Sequence, residues 1–244
     1  MKTNLLTIFA LLILLAGSCK STEIQSPPAT FSYNTDTTGT QIAIEFTRGP
    51  AFNYPLMAIW VEDEVGNFVQ TLYVAESIGK GTFEHGDIST GKWQPGPIMR
   101  PAALPYWSHR RGIVNDAGLF LPDTKTPIAD AYTGATPTGN FVLNTRIENP
   151  SLRKFSVYFE INQSWDWNEF WTNAKFPDDN EYKTSCQPAL VYMADVDLDS
   201  ETKSYPMLVI GHSHYSGKTG ELFTDISTIT TALNIAKEIR VTVK

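Results

Sequence analysis

Cysteine is almost missing from this sequence: among 244 residues there are two, Cys19 and Cys186. Two are too few for a disulfide framework, and nothing near Cys186 resembles a metal-ligand pair. Positive charge is also short. Lys and Arg number 19 against 26 Asp and Glu, giving a formal net charge of −7, and no basic run occurs. That balance argues against nucleic acid as a partner. Charged residues make up only 18 % and aromatics 12 %, so the body of the chain folds instead of staying disordered. Long apolar runs are lacking too. The stretch from Leu5 to Leu15 is too short for an ordinary membrane-spanning helix. There is no Gly-x-Ser-x-Gly elbow and no internal repeat, which leaves serine-hydrolase and solenoid readings unsupported. Gly211 to Thr219 falls short of a phosphate-binding loop, because five residues rather than four separate its glycines.

What is present begins with an address. Lys2 precedes the apolar run, which ends in Leu15-Ala16-Gly17-Ser18-Cys19. Small residues before a cysteine at this distance look like a bacterial lipoprotein signal over residues 1–18, cut before Cys19. Several acyl chains on Cys19 anchor stably where a single chain binds only marginally. The expected location is the cell envelope, facing the periplasm or on the outer membrane of a Gram-negative-type bacterium, with the membrane as a partner through that anchor. Cys186 is then alone, and a lone thiol in an exported protein is expected to be buried as a small apolar residue. Residues 19–38 read as a polar, flexible tether and residues 39–244 as the folded domain.

Strand patterns dominate that domain. Gln41 to Phe46 alternates apolar and polar residues, and Leu56 to Val61 and Phe68 to Val74 flank a polar turn, Glu62 to Asn67, as in a β-hairpin. Trp60 is expected in the core. Further strands are expected over Asn140 to Ile147, Lys154 to Asn162, Ala189 to Val196, Tyr205 to His212 and Arg240 to Val243. The stretch from about 75 to 129 breaks the pattern and reads as a long irregular insertion, with a short helix near Arg100 to Trp107. Leu222 to Ile239 carries apolar residues at Ile226, Ile229, Ala232, Leu233 and Ala236, which predicts a C-terminal helix. The fold class expected is all-β: an immunoglobulin-like antiparallel sandwich with an insertion and that helix.

Between insertion and later strands lies Asp130-Ala131-Tyr132-Thr133-Gly134-Ala135-Thr136. The order Asp-x-x-Thr-Gly-Ala-Thr resembles the attachment motif of the covalent FMN-binding domains of extracytoplasmic flavoproteins. In those domains a flavin transferase joins the FMN phosphate to the last hydroxyl, here that of Thr136. The resemblance implies a cofactor, covalent FMN, and a role in extracytoplasmic electron transfer, with a flavin transferase and membrane electron carriers as partners. Asp130 would assist attachment, Thr133, Gly134 and Ala135 would shape the loop, and Tyr132, Trp107, Arg110 or Arg111 would stack on the ring or tune it.

The order of the pieces is similar to a family of periplasmic lipoproteins of unsettled activity, built on an immunoglobulin-like, flagellar-hook-cap-type sandwich. The matching stretches are Ala58 to Asp63, Asp130 to Gly139, Tyr158 to Asn162, Gln187 to Tyr192 and Asp225 to Ile239.

Three other constellations are visible. Trp165, Trp167 and Trp171 fall within seven residues and read either as core packing or as a stacking platform for a flavin ring or a sugar. The platform reading supports the alternative function, a non-catalytic envelope module that binds a glycan or protein partner. His212 and His214, two apart on a strand, share a face and are weak candidates for a metal. Asp195, Asp197 and Asp199 alternate but lack the glycine of a calcium loop, so they read as a solvated strand face.

Overall fold

The computed structural model describes residues 27–128, 132–134 and 136–244. The predicted signal over 1–18 and Cys19, the expected acylation site, lie outside the described residues. The remainder is a two-sheet β-sandwich, as the alternation of apolar residues predicts.

One sheet has five strands: β1 (Ala29–Ser32), β2 (Thr40–Arg48), β8 (Phe141–Ile147), β11 (Ser204–Pro206) and β13 (Ala236–Val243), in the order β1-β8-β2-β13-β11. The other has six: β3 (Leu56–Asp63), β4 (Phe68–Ala75), β7 (Tyr132–Gly134), β9 (Lys154–Asn162), β10 (Leu190–Asp197) and β12 (Leu208–His212), in the order β12-β10-β9-β3-β4-β7. Pairing is antiparallel throughout both sheets except at two edges, where β1 runs parallel to β8 and β7 parallel to β4.

The main core lies between the sheets. Phe46 on β2 stacks on Phe141 of β8, with ring centroids 5.0 Å apart, and on Phe159 of β9 across the sandwich at 5.8 Å. In β8 burial alternates residue by residue, as it must when one face meets the core and the other stays open. In β3 every residue from Leu56 to Glu62 is buried. Strands buried on both faces need a second cover, and the insertion supplies it.

The insertion is more ordered than the sequence suggests. It holds α1 (Glu76–Lys80), a hairpin of β5 (Thr82–Asp87) and β6 (Gln94–Pro97), and α2 (Pro105–Arg111). The helix begins at Pro105, where a proline costs no hydrogen bond, and not ahead of it as predicted. Leu104, Ala103 and Trp107 press on the outer face of the six-stranded sheet against Ala58, Trp60 and Val74. Trp60 is therefore fully buried, as expected, but beneath the insertion rather than between the sheets.

Two further expectations are corrected. Part of the predicted tether is folded: Ala29–Ser32 pairs with Phe141, Val142, Leu143 and Asn144. The C-terminal helix does not form. Residues from Leu222 onward run through a loop and a 3-10 turn, Thr231–Asn234, into β13, which pairs with β2 from Ala236↔Arg48 to Val243↔Ile42. Backbone bonds along that ladder, with Ile239 and Val241 entering the core, outweigh the local helical spacing.

Strand directions gather several loops at one end of the sandwich, the end where β1 begins. Ala29 pairs with Phe141, Phe141 with Phe46, and Arg48 with Ala236. In the other sheet Leu56 pairs with Asn162 and Ala75 with Gly134. The chain crosses from β2 of one sheet to β3 of the other at this end, over residues 49–55, where Gly49 N–H bonds Ile235 O and Asn53 N–H bonds Gln163 Oε1.

Candidate functional site

The loop that leaves β9 at this end carries the tryptophan cluster. Asn168 organises it: its Oδ1 accepts the N–H groups of Phe170 and Trp171, and its Nδ2 donates to Thr228 O and Thr230 Oγ1. Trp171 is driven inward, only 7 % exposed, with its Nε1 donating to Thr228 Oγ1 and its ring against Tyr182, Tyr215 and His212. Trp165 and Trp167 point outward, 64 % and 58 % exposed. The core reading holds for one tryptophan of the three.

The two exposed rings border a cavity of about 490 Å³ whose other walls are Asn173, Ala174, Pro177, Lys183 and Cys186. Cys186 is its buried floor, a free thiol as expected, raised above its ordinary pKa by burial and then by the charge of Asp166. The walls are held by a short ladder. Trp165 and Asp166 donate N–H bonds to Thr184 O and Ser185 O, and Gln187 returns one to Asp166 O. Both Trp165 (φ +57°) and Cys186 (φ +67°) adopt left-handed backbone conformations, each costing about 1–3 kcal/mol in a non-glycine residue. Cys186 ends α3 (Asn180–Ser185), whose first turn is capped by Asp179 accepting the Tyr182 N–H. Strain tolerated at two residues of one wall is a common mark of a site, because packing alone gives no reason to hold an indole in water. Beside it Lys175 sets its ammonium 3.0 Å from the centre of the exposed Phe170 ring.

A second constellation lies under the insertion and was not foreseen. Glu160 on β9 is fully buried, and its two oxygens accept the N–H groups of Tyr106 (3.1 Å) and Trp107 (2.8 Å) in the first turn of α2. Burial pushes its carboxyl up to about 8, against the opposing pull of those two N–H groups and the Ser213 hydroxyl. Glu62 on the neighbouring β3 grips the other end of the helix. Its carboxylate takes Arg110 Nε at 2.7 Å and Nη2 at 2.6 Å, and Trp60 Nε1 at 2.9 Å. Tyr158, stacked on Trp60 at 5.0 Å, is pushed up to about 12 by burial and by Glu62. The pair of carboxylates clamps the two ends of one helix. Its sequence signal was a glutamate set among aromatics in each of two central strands.

The predicted flavin residues are placed as follows. Asp130, Ala135 and the side chain of Tyr132 lie outside the described residues. Thr133 and Gly134 belong to the edge strand β7 instead of an open turn, because Gly134 pairs with Ala75 and Thr133 Cγ2 packs on Gly79, 2.7 Å from where a Cβ would stand. Thr136 follows that strand and is half-buried. Trp107 cannot stack on a flavin: it is fully buried, with Nε1 donating to Thr71 Oγ1 at 3.2 Å. Arg110 is engaged by Glu62, and Arg111 lies over the Trp107 ring.

His212 and His214 do not converge. His212 Nδ1 bonds Ser213 O, and its ring lies on Phe223; His214 Nδ1 accepts the Ser216 N–H, and its ring lies on Tyr215. Among the described residues no group of three or more His, Cys, Asp or Glu is placed to hold a metal ion. Asp197 pairs with Lys154 and Asp199 with Arg153, while Asp195 accepts from Ser156, as on a solvated strand face.

A scan against protein-family models gives no match, and a search of curated proteins gives none.

Proposed function

We propose that this chain is a non-catalytic binding module of the cell envelope, held there by acyl chains on Cys19, and that its ligand is a glycan stacked on Trp165 and Trp167. The observation that carries this reading is the pair of outward indoles over a cavity, on a loop held by a dedicated ladder with strained backbone at Trp165 and Cys186. Indole faces suit the C–H faces of a pyranose ring, and Asn173 supplies polar contact at the rim. Titrating soluble oligosaccharides against intrinsic tryptophan fluorescence tests it. A saturable blue shift, lost in Trp165→Ala and Trp167→Ala, supports the site; a broad panel with no response removes it.

A second reading is covalent FMN on Thr136, with a flavin transferase and membrane electron carriers as partners. What favours it is that Thr136 is only half-buried and sits at the end where the loops gather. Intact mass after co-expression with a flavin transferase in an exported compartment checks it, with Thr136→Ala as control. An adduct in the wild type alone supports attachment, and an unmodified chain rejects it.

A further inference from the structure

The cavity and the entry of the chain share one end of the sandwich. Ala29 opens β1 beside Asn140 and Phe141, and β9, which leads into the tryptophan loop, finishes at that same end. Pro27 stands eight positions after Cys19. At no more than about 3.6 Å per residue, acyl chains on Cys19 keep this end within about 29 Å of the bilayer. The opposite end lies a further strand length away, about 30 Å for the nine residues of β2 or β9. Side chains suited to a headgroup layer are displayed on the near end: Trp165, Trp167 and the half-exposed Phe170, with Lys175 and Lys183 beside them. Tryptophan settles at membrane interfaces, and lysines there meet lipid phosphates.

Resting on the lipid-anchor and glycan readings above, we infer that the cavity opens onto the headgroup layer of the membrane that holds the N-terminus, so the sugar it takes is carried on a lipid. A soluble sugar and a glycolipid offer the same ring to the indoles. Only the second is concentrated where this geometry puts the cavity, and its binding becomes effectively intramolecular once the chain is anchored.

The test uses the full-length acylated protein in vesicles of phosphatidylethanolamine and phosphatidylglycerol containing a lipid brominated near the headgroup. Bromine is expected to quench tryptophan emission. Trp165→Ala/Trp167→Ala is expected to remove most of that quenching, because Trp60, Trp107 and Trp171 are buried. Adding a diglycosyl-diacylglycerol is expected to give a further blue shift at a sugar concentration about tenfold below that needed with the free disaccharide. Quenching that is absent, or that persists in the double variant, overturns the orientation. Free and lipid-borne sugar acting at equal concentrations overturns the lipid source and leaves glycan binding intact. Quenching with no response to sugar in either form overturns the glycan reading together with this one, leaving the bilayer itself as what the indoles meet.

Discussion

Trp60 and Trp107 meet where the insertion packs on the six-stranded sheet, while Trp165 and Trp167 stand at the end of the sandwich, and the two pairs are held by opposite means. Between insertion and sheet each indole is fully buried and its N–H has a partner, Glu62 for Trp60 and Thr71 for Trp107. Around them two buried carboxylates hold the ends of one seven-residue helix. Glu62, Glu160 and Arg110 are all spent on holding the insertion down. At the end loop the reverse holds: Asn168, Asp166 and the Thr184–Gln187 segment fix the backbone, and the indoles they carry are left in water. Buried polar groups with a full set of partners point to architecture, and apolar rings held rigidly outside point to a ligand.

Substitutions at the two regions should separate stability from binding. The largest effects belong under the insertion. Arg110→Ala leaves Glu62 buried without its cation and should cost about 3–5 kcal/mol in chemical denaturation; Trp107→Ala should cost a similar amount through its cavity. A loss below about 1 kcal/mol for both would mean that the insertion is not docked as described. Next is Glu160. Its carboxyl is raised from 4.5 to about 8, so the uncharged form is favoured in the fold. Its contribution to stability is therefore complete below the ordinary carboxylate range, declines as pH rises toward about 8, and is flat above that, a change of a few kcal/mol. Glu160→Gln should flatten this slope. Comparing variant with wild type isolates it from His214, whose lowered pKa, set mainly by burial, acts with the opposite sign because its stability is lost as pH falls. An unchanged slope in the variant would place the ionisation elsewhere.

Smaller effects belong to the loop. Asn168→Ala should cost about 1–3 kcal/mol and raise hydrogen exchange at Phe170 and Trp171, whose N–H groups it accepts. Protection that stays at its wild-type level would remove Asn168 as the organising residue. Smallest of all, Trp165→Ala should change stability by no more than about 0.5 kcal/mol, since an exposed side chain contributes little packing. A large loss would mean that the indole is structural after all.

Much of the sandwich was legible in the sequence. β8, whose alternation is clean, was expected nearly to its observed limits because one buried face imposes a period of two, and β9 alternates over its first half before being buried on both faces. Short edge strands escaped notice: β1 and β7 have four and three residues, and their partners are remote in the chain. The C-terminal segment misled because Ile229, Ala232 and Ala236 fit a helical period, whereas the bonds that decide its conformation come from β2. The insertion looked irregular because its order is imposed from outside, by Glu62 and Glu160 on the sheet.

The candidate site was half legible. Three clustered tryptophans were visible, but which of them turns inward depends on Asn168, Thr228 and Thr230, which come together only in three dimensions. Asn173, Pro177 and Lys183, which complete the cavity, carry no signal of their own. Trp107 fitted the flavin reading by its nearness in sequence to Asp130, and its burial between the insertion and the sheet ends that role.

The most direct test is one pair of measurements on Trp165→Ala/Trp167→Ala: thermal unfolding, and glycan affinity by isothermal calorimetry. Unfolding at the wild-type temperature with affinity weakened by about 30-fold or more per indole is the predicted result, the usual loss for a tryptophan at the centre of a contact. Affinity equal to that of the wild type would contradict the claim that these two rings are the binding surface.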